Sequence, residues 1–260
     1  MVIPIHDENP LRRRPVVTWL LVLINVALFL AEPIGKVPMG NGTQTLASAC
    51  QQIEFFDHYG AIPKELTSNQ QLAPHVVGPI PTNVGPLPCP TERWSKVPAL
   101  SVLTAMFLHA GWAHLLGNML FFIIFGNNIE DRLGRIRFLL FYLVAGYVAA
   151  YGYALASPHS TAPLIGASGA IAGVLGAYVV LYPRARVTAL VPFLLFLPFR
   201  LPAWLVLGFW FLLQYAYSAG NGVAQGADVA YFAHVVGFLF GALLIRLIVP
   251  RGRAALRTER

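Results

Sequence analysis

Leu164-Ile-Gly-Ala-Ser-Gly-Ala-Ile-Ala-Gly-Val-Leu-Gly-Ala-Tyr178 is apolar and glycine-rich, and Ser168 is its only aliphatic hydroxyl. Gly169, Gly173 and Gly176 recur at the i, i+4, i+7 spacing of one helix face. Such a stripe lets the backbone of a second helix come close. Pro163 and Gly166 stand just ahead of the serine, which predicts a turn giving way to a helix. Ser168 then falls in the first helical turn, where backbone N–H groups lack partners within the helix. Taken alone, a packing serine in a membrane helix is the simpler reading. The rest of the chain weighs against it.

The surroundings are those of a polytopic membrane protein. The 260 residues are 57% hydrophobic and 11% charged, where a globular domain carries about 25% charged residues. The net charge of +7 comes from basic residues scattered between apolar runs. That placement excludes a nucleic-acid surface and serves instead as a topology signal.

Working outward, the expected fold class is all-α: a bundle of six transmembrane helices. Residues 1–15 form a polar segment ending in Arg12-Arg13-Arg14. Val16–Ala31 is the first span; no cleavage pattern closes it, since Glu32 and Pro33 follow. Residues 32–98 are polar and proline-rich, too long for an ordinary connection, and read as an extramembrane first loop. It holds both cysteines, Cys50 and Cys89, which pair in an oxidising compartment and stay free thiols in a reducing one. Phe55, Phe56, Tyr59, Ile62 and Leu66 suggest a short amphipathic helix on the membrane surface.

The second span lies within Ala99–Asn128, and Ile129–Arg137 reads as a charged connection. Ile136–Ala156 is the third span and Ser168–Tyr182 the fourth. Val187–Leu201 is broken by Pro192 and Pro198 and is assigned to the interface or to partial entry. Pro202–Ser218 and Tyr231–Val249 complete the six, so the membrane domain covers 16–249. A basic tail, 250–260, follows. Six spans put both termini on one side. Every arginine outside the first loop falls on that side, which positive-inside assigns to the cytoplasm of a cell membrane.

Polar groups inside spans are costly and mark function. His114 with Asn118, Ser168, and His234 stand at the starts of the second, fourth and sixth spans. Those spans run inward in parallel, so the groups share one depth near the outer face. A fourth span of about 15 residues is about 22 Å long, against a hydrocarbon core of about 30 Å. Ser168 then sits below the outer surface, in a cavity that water must reach.

A serine hydroxyl becomes nucleophilic when a base takes its proton, and an imidazole with an ordinary pKa of about 6.5 is suited to that task. Gly237 and Gly241 follow His234 on one helix face and allow approach to the stripe beyond Ser168. The Ser168 N–H, the Asn118 amide and the His114 ring are candidate oxyanion donors. Each has a plainer alternative: Asn118 as interhelical glue, His114 as a cap, His234 as a structural hydrogen-bond partner. A metal site at His114 and His234 is disfavoured, with no thiol or carboxylate at ligand spacing. Asp228 is read as solvated loop. A transporter is disfavoured too, since the polar groups cluster on one side and no inverted repeat is evident.

Gly166-Ala-Ser168-Gly169, Ala233-His234-Val-Val-Gly237 and His114-Leu-Leu-Gly-Asn118 together resemble the rhomboid family of intramembrane serine proteases. The likeness covers about Ala99–Val249 plus the first span. It implies a Ser168–His234 dyad without an acid member and an oxyanion site of His114, Asn118 and the Ser168 N–H. It also implies a transmembrane segment of another protein as substrate, cut near its outer end after a small residue, and no cofactor. A non-catalytic member that binds transmembrane helices is the alternative. Where some members place a tyrosine one turn after the serine, this chain has Ala172, so Tyr231 becomes the candidate for orienting His234. Arg93-Trp94 reverses the family's order in the first loop, and no role is carried to it. Substrate identity and oligomeric state are left open.

The topology is testable directly. A tag at the amino terminus is expected to resist a membrane-impermeant protease in intact cells and to be cut after lysis. Cleavage in intact cells contradicts the assignment.

Overall fold

The computed structural model describes residues 3–33, 46–73, 76–80, 87–90, 95–191, 196–220 and 230–249. In chain order the elements are β1 (Ile3–Asp7), α1 (Val16–Ala31), α2 (Leu46–Tyr59), α3 (Pro63–Ser68), β2 (Val76–Ile80), β3 (Leu87–Pro90), α4 (Pro98–Ala105), α5 (Trp112–Leu133), α6 (Arg135–Ala156), α7 (Ser168–Leu181), β4 (Arg186–Val191), β5 (Leu197–Pro202), α8 (Ala203–Gly220) and α9 (Tyr231–Ile248). Among them α5, α6 and α9 are long and apolar enough to cross a membrane, and α1 and α7 are shorter apolar helices. The core is apolar and centred on α7. Its helix buries Ile171, Val174, Leu175 and Tyr178 against Phe122 and Phe125 of α5 and Tyr142 of α6.

The structure departs from the expected all-α bundle in three places. The charged stretch Ile129–Arg137 is not a loop: α5 runs through it to Leu133, and only Gly134 separates α5 from α6. Ile129, Glu130 and Leu133 are buried there, so the charged stretch begins as a packed helix end. Gly134 has φ of 80°, a conformation that glycine adopts without steric cost. Second, the run from Ala99 divides into α4 and a separate α5, with a non-helical stretch between them.

Third, Val187–Leu201 contributes a β-hairpin, and β1 adds to it in the order β1-β4-β5. Val187, Ala189 and Val191 alternate inward, the period of a half-buried strand. Pro198 and Pro202 are accommodated because β5 is an edge strand, whose outer N–H groups need no partner. β1 is pinned by Asn128, whose amide donates to Asp7, and by Asn9, whose amide donates to the Tyr178 hydroxyl at 2.7 Å.

The described part of the first loop carries two helices, α2 and α3, rather than one amphipathic helix; Phe56, Ile62 and Leu66 are buried. Lys96 and Glu65 pair at 2.7 Å with both side chains 3% exposed, and Lys96 Nζ also donates to the Asp57 carbonyl at 2.7 Å. Burial pulls the Lys96 pKa down, while the Glu65 carboxylate pulls it up. Cys50 is disulfide-bonded. The side chain of Cys89 lies outside the described residues, though its backbone sits opposite Val77 in a β2–β3 hairpin. Arg93-Trp94, Pro192, Asp228 and the 250–260 tail also lie outside them.

Helices α1 and α5 are antiparallel, joined at both ends. At one end Glu130 accepts from Val17 N at 2.9 Å, Thr18 N at 2.7 Å and the Thr18 hydroxyl at 2.8 Å. It supplies the cap that Pro15 cannot. At the other end the Phe29 ring meets Trp112 edge-on at 4.9 Å. Glu130→Ala leaves these donors unpaired in a buried place, and the thermal unfolding midpoint in detergent is expected to fall by an amount equivalent to about 2–3 kcal/mol. An unchanged midpoint contradicts this role for Glu130.

Candidate active site

The turn before α7 is held from two sides. Ala61 and Leu164 exchange backbone hydrogen bonds at 3.0 and 2.8 Å, and Gly166 N donates to the Ala105 carbonyl at 2.8 Å. The first loop and α4 thus fix the strand that leads into Ser168. Gly166 has φ of 116°, and a Cβ there would lie 2.8 Å from His114 Nε2 and 3.6 Å from Asn118 Nδ2. Glycine is required twice, by backbone conformation and by the approach of two side chains. Ser168 then opens α7.

The glycine stripe of α7 meets α9 backbone to backbone. A Cβ at Gly237 would strike the Gly169 carbonyl oxygen. At Gly241 it would strike the Gly173 carbonyl, and at Gly176 the Phe238 carbonyl. On its other side α7 packs on α6, where Ala145 and Ala149 face Gly173 and Gly169.

That contact carries His234 to Ser168. His234 Nε2 lies 2.8 Å from Ser168 Oγ, and His234 Nδ1 lies 2.7 Å from Gln214 Oε1 of α8. An amide oxygen only accepts, so Nδ1 carries the hydrogen and Nε2 is left to accept from the serine hydroxyl. Trp210 lies tilted against the imidazole at 6.0 Å. Tyr231 contacts it edge-on at 6.3 Å, so the hydrogen-bond partner of Nδ1 is Gln214 and not Tyr231. Gln214 is buried and is the one amide in an otherwise apolar helix. A polar group in an apolar span was the signal that marked His234, and it marks Gln214 equally.

His114 and Asn118 converge on the same turn. His114 Nδ1 accepts from Ala110 N at 3.3 Å, which leaves the proton on Nε2, the nitrogen facing Gly166. Asn118 Nδ2 is buried and has no hydrogen-bond partner among the described residues. An unpaired amide donor is costly to bury, and here it faces the ground just ahead of Ser168. Besides Gln214, two residues near the site carry no signal in the sequence analysis: His109, fully buried beside His114 with ring centroids 5.1 Å apart, and Glu32, whose carboxylate accepts from His109 N at 3.3 Å.

Beside Ser168 a cavity of about 50 Å³ opens among small residues, including Gly146, Ala149, Ala150, Gly169 and Ala233. Among the described residues no cluster of His, Cys, Asp or Glu could hold a metal ion. The arrangement as a whole is an alcohol hydrogen-bonded to an imidazole that Gln214 holds from its other side, with the His114 ring and the Asn118 amide beside the turn that leads into the serine. Chemically it is equipped for acyl transfer.

Residues 96–251 match the model of the Rhomboid domain. RHOMBOID-like protein 6, mitochondrial, of Arabidopsis thaliana is 42% identical over 86 residues, 33% of this chain and 25% of that protein. Rhomboid protein 1, mitochondrial, of Saccharomyces cerevisiae is 33% identical over 150 residues, 55% of this chain and 40% of its own length. Rhomboid protease GluP of Bacillus subtilis is 45% identical over 85 residues, 32% of this chain and 16% of that protein. The chain spans less than half the length of each of these relatives.

The α7–α9 contact makes a prediction of its own. Gly241→Val drives a side chain into the Gly173 carbonyl and is expected to cost at least about 3 kcal/mol in detergent unfolding. Gly208→Ala, where a Cβ meets nothing within 4 Å, is expected to change stability little. Equal effects of the two contradict the close packing.

Proposed function

Because the chain belongs to the rhomboid family, we propose that it is an intramembrane serine endopeptidase that cuts transmembrane segments of other membrane proteins. The single observation that carries this reading is the hydrogen-bond relay Ser168–His234–Gln214, at 2.8 and 2.7 Å. Ser168 Oγ gives its proton to His234 Nε2 and attacks the scissile carbonyl carbon. The developing oxyanion is met by the Asn118 amide, His114 Nε2–H and the Ser168 N–H; one such donor is worth about 2.7–4 kcal/mol of barrier in a serine protease. The imidazolium returns the proton to the leaving amine. Water then enters, His234 takes its proton as the oxygen adds to the acyl carbon, and the imidazolium returns that proton to Ser168 Oγ as the acyl bond breaks. Gln214 keeps the imidazole in the productive tautomer and gives it no charge, so the dyad works without an acid member.

The protein is integral to a membrane, and α1, α5, α6, α7, α8 and α9 are the six spans of one domain, 16–249. Both termini lie in the cytoplasm of a cell membrane, and the first loop lies outside. The disulfide at Cys50 fits an oxidising exterior. Ser168 then acts near the outer end of the substrate helix. The small volume beside it favours a small residue ahead of the cut.

Serine-directed fluorophosphonate is expected to label Ser168 in the intact protein, and Ser168→Ala is expected to abolish both labelling and cleavage of membrane substrates. Cleavage surviving in that variant overturns the proposal. Gln214→Met removes the Nδ1–H acceptor without emptying the space. Losing the right tautomer costs about 10⁴ in a triad with a charged partner, so a neutral partner predicts a smaller loss, about 10–100-fold in labelling rate. Wild-type rates in Gln214→Met would remove Gln214 from the mechanism.

A further inference from the structure

A second cavity, of about 490 Å³, lies at the opposite end of the molecule from Ser168, between the segment before α1 and the turn that joins α5 to α6. It is within the size range of small-ligand sites. Arg13, Arg14, Arg135 and Arg137 line it, with Glu130 and Asp131. Glu130 is taken up by the start of α1, and one Asp131 oxygen accepts from Arg13 N at 2.8 Å. Among the described residues no carboxylate pairs with the Arg135 or Arg137 guanidinium. The cavity is therefore a cationic hollow whose positive charges outnumber its own acids. Nothing in the proteolytic mechanism uses it.

The flanks of the hollow are apolar and outward-facing. On α6, Ile136 is 77% exposed and Leu140 56%, one turn apart. On α1, Val16 and Leu20 are exposed at the same spacing. A soluble anion has no use for these flanks. A molecule with an anionic head and two aliphatic chains matches both features, with its phosphate in the fork of planar guanidiniums and its chains along α1 and α6. We propose that this hollow binds the phosphate headgroup of an anionic phospholipid, as basic pockets at the membrane face between helices do. Occupancy ties the segment before α1 to the α5–α6 turn, and so reinforces the clamp that Glu130 makes.

The test uses the full chain in nanodiscs of equal parts phosphatidylglycerol and phosphatidylcholine, released for native mass spectrometry. Wild type is expected to retain phosphatidylglycerol over phosphatidylcholine by about 10-fold or more, at about 1 kcal/mol per arginine. Arg135→Gln/Arg137→Gln is expected to bring that ratio near parity, and Arg184→Gln, outside the hollow, to leave it unchanged. Should the double variant fail to fold, Arg14→Gln, which lies outside any helix, is expected to lower the ratio by itself. Three results overturn the proposal: no preference in wild type, the full preference in the arginine variants, or equal loss in Arg184→Gln. Loss of retained lipid on adding excess inorganic phosphate assigns the hollow to a soluble anion and overturns the lipid as well.

Discussion

Helices α7 and α9 touch through their backbones, and the site is assembled by that contact. Gly169 and Gly173 on one helix and Gly237 and Gly241 on the other leave no room for a single methyl group between them. In a bilayer, apolar helices gain nothing from hiding apolar surface from lipid. Association rests on close van der Waals packing and polar contacts. The glycines supply the first of these. The pair His234–Ser168, one turn above the last backbone contact, supplies the second.

The remaining elements serve to hold that pair in one geometry. The α8 helix brings Gln214 to the far side of the imidazole. The α5 helix presents His114 and Asn118 across a turn that only glycine can make. The first loop is drawn into this frame: Ala61 pairs with Leu164, and Lys64 N donates to the Ser160 carbonyl at 3.0 Å. Its buried Lys96–Glu65 pair costs desolvation of two charges, so its value lies in fixing a conformation as much as in stability. At the opposite end the β1-β4-β5 sheet and the Glu130 clamp close the bundle.

Much of the candidate site is legible because membranes penalise polar side chains. Ser168, His234, His114 and Asn118 stand out against apolar runs, and the glycine spacing on both helices shows which faces can meet. Gln214 was legible by the same rule, but it carries no chemistry of its own and drew no notice beside histidines. What the sequence hides is pairing between distant backbone groups. The Ala61–Leu164 bridge leaves no mark on side-chain type. The hairpin of β4 and β5 reads as a broken apolar run, because its prolines look like breaks until the strand is known to be an edge. The charges of Ile129–Arg137 read as loop until Glu130 is seen buried against the start of α1.

An activated Ser168 facing prepared donors is the core of the proposed chemistry. The most direct measurement is an experimental structure of the protein after reaction with a fluorophosphonate, whose phosphoryl oxygen stands in for the oxyanion. Phosphorus is expected on Ser168 Oγ, with that oxygen within about 3 Å of Asn118 Nδ2 and His114 Nε2. Phosphorus on any other residue contradicts it, as does an adduct whose oxygen turns away and leaves both donors unpaired.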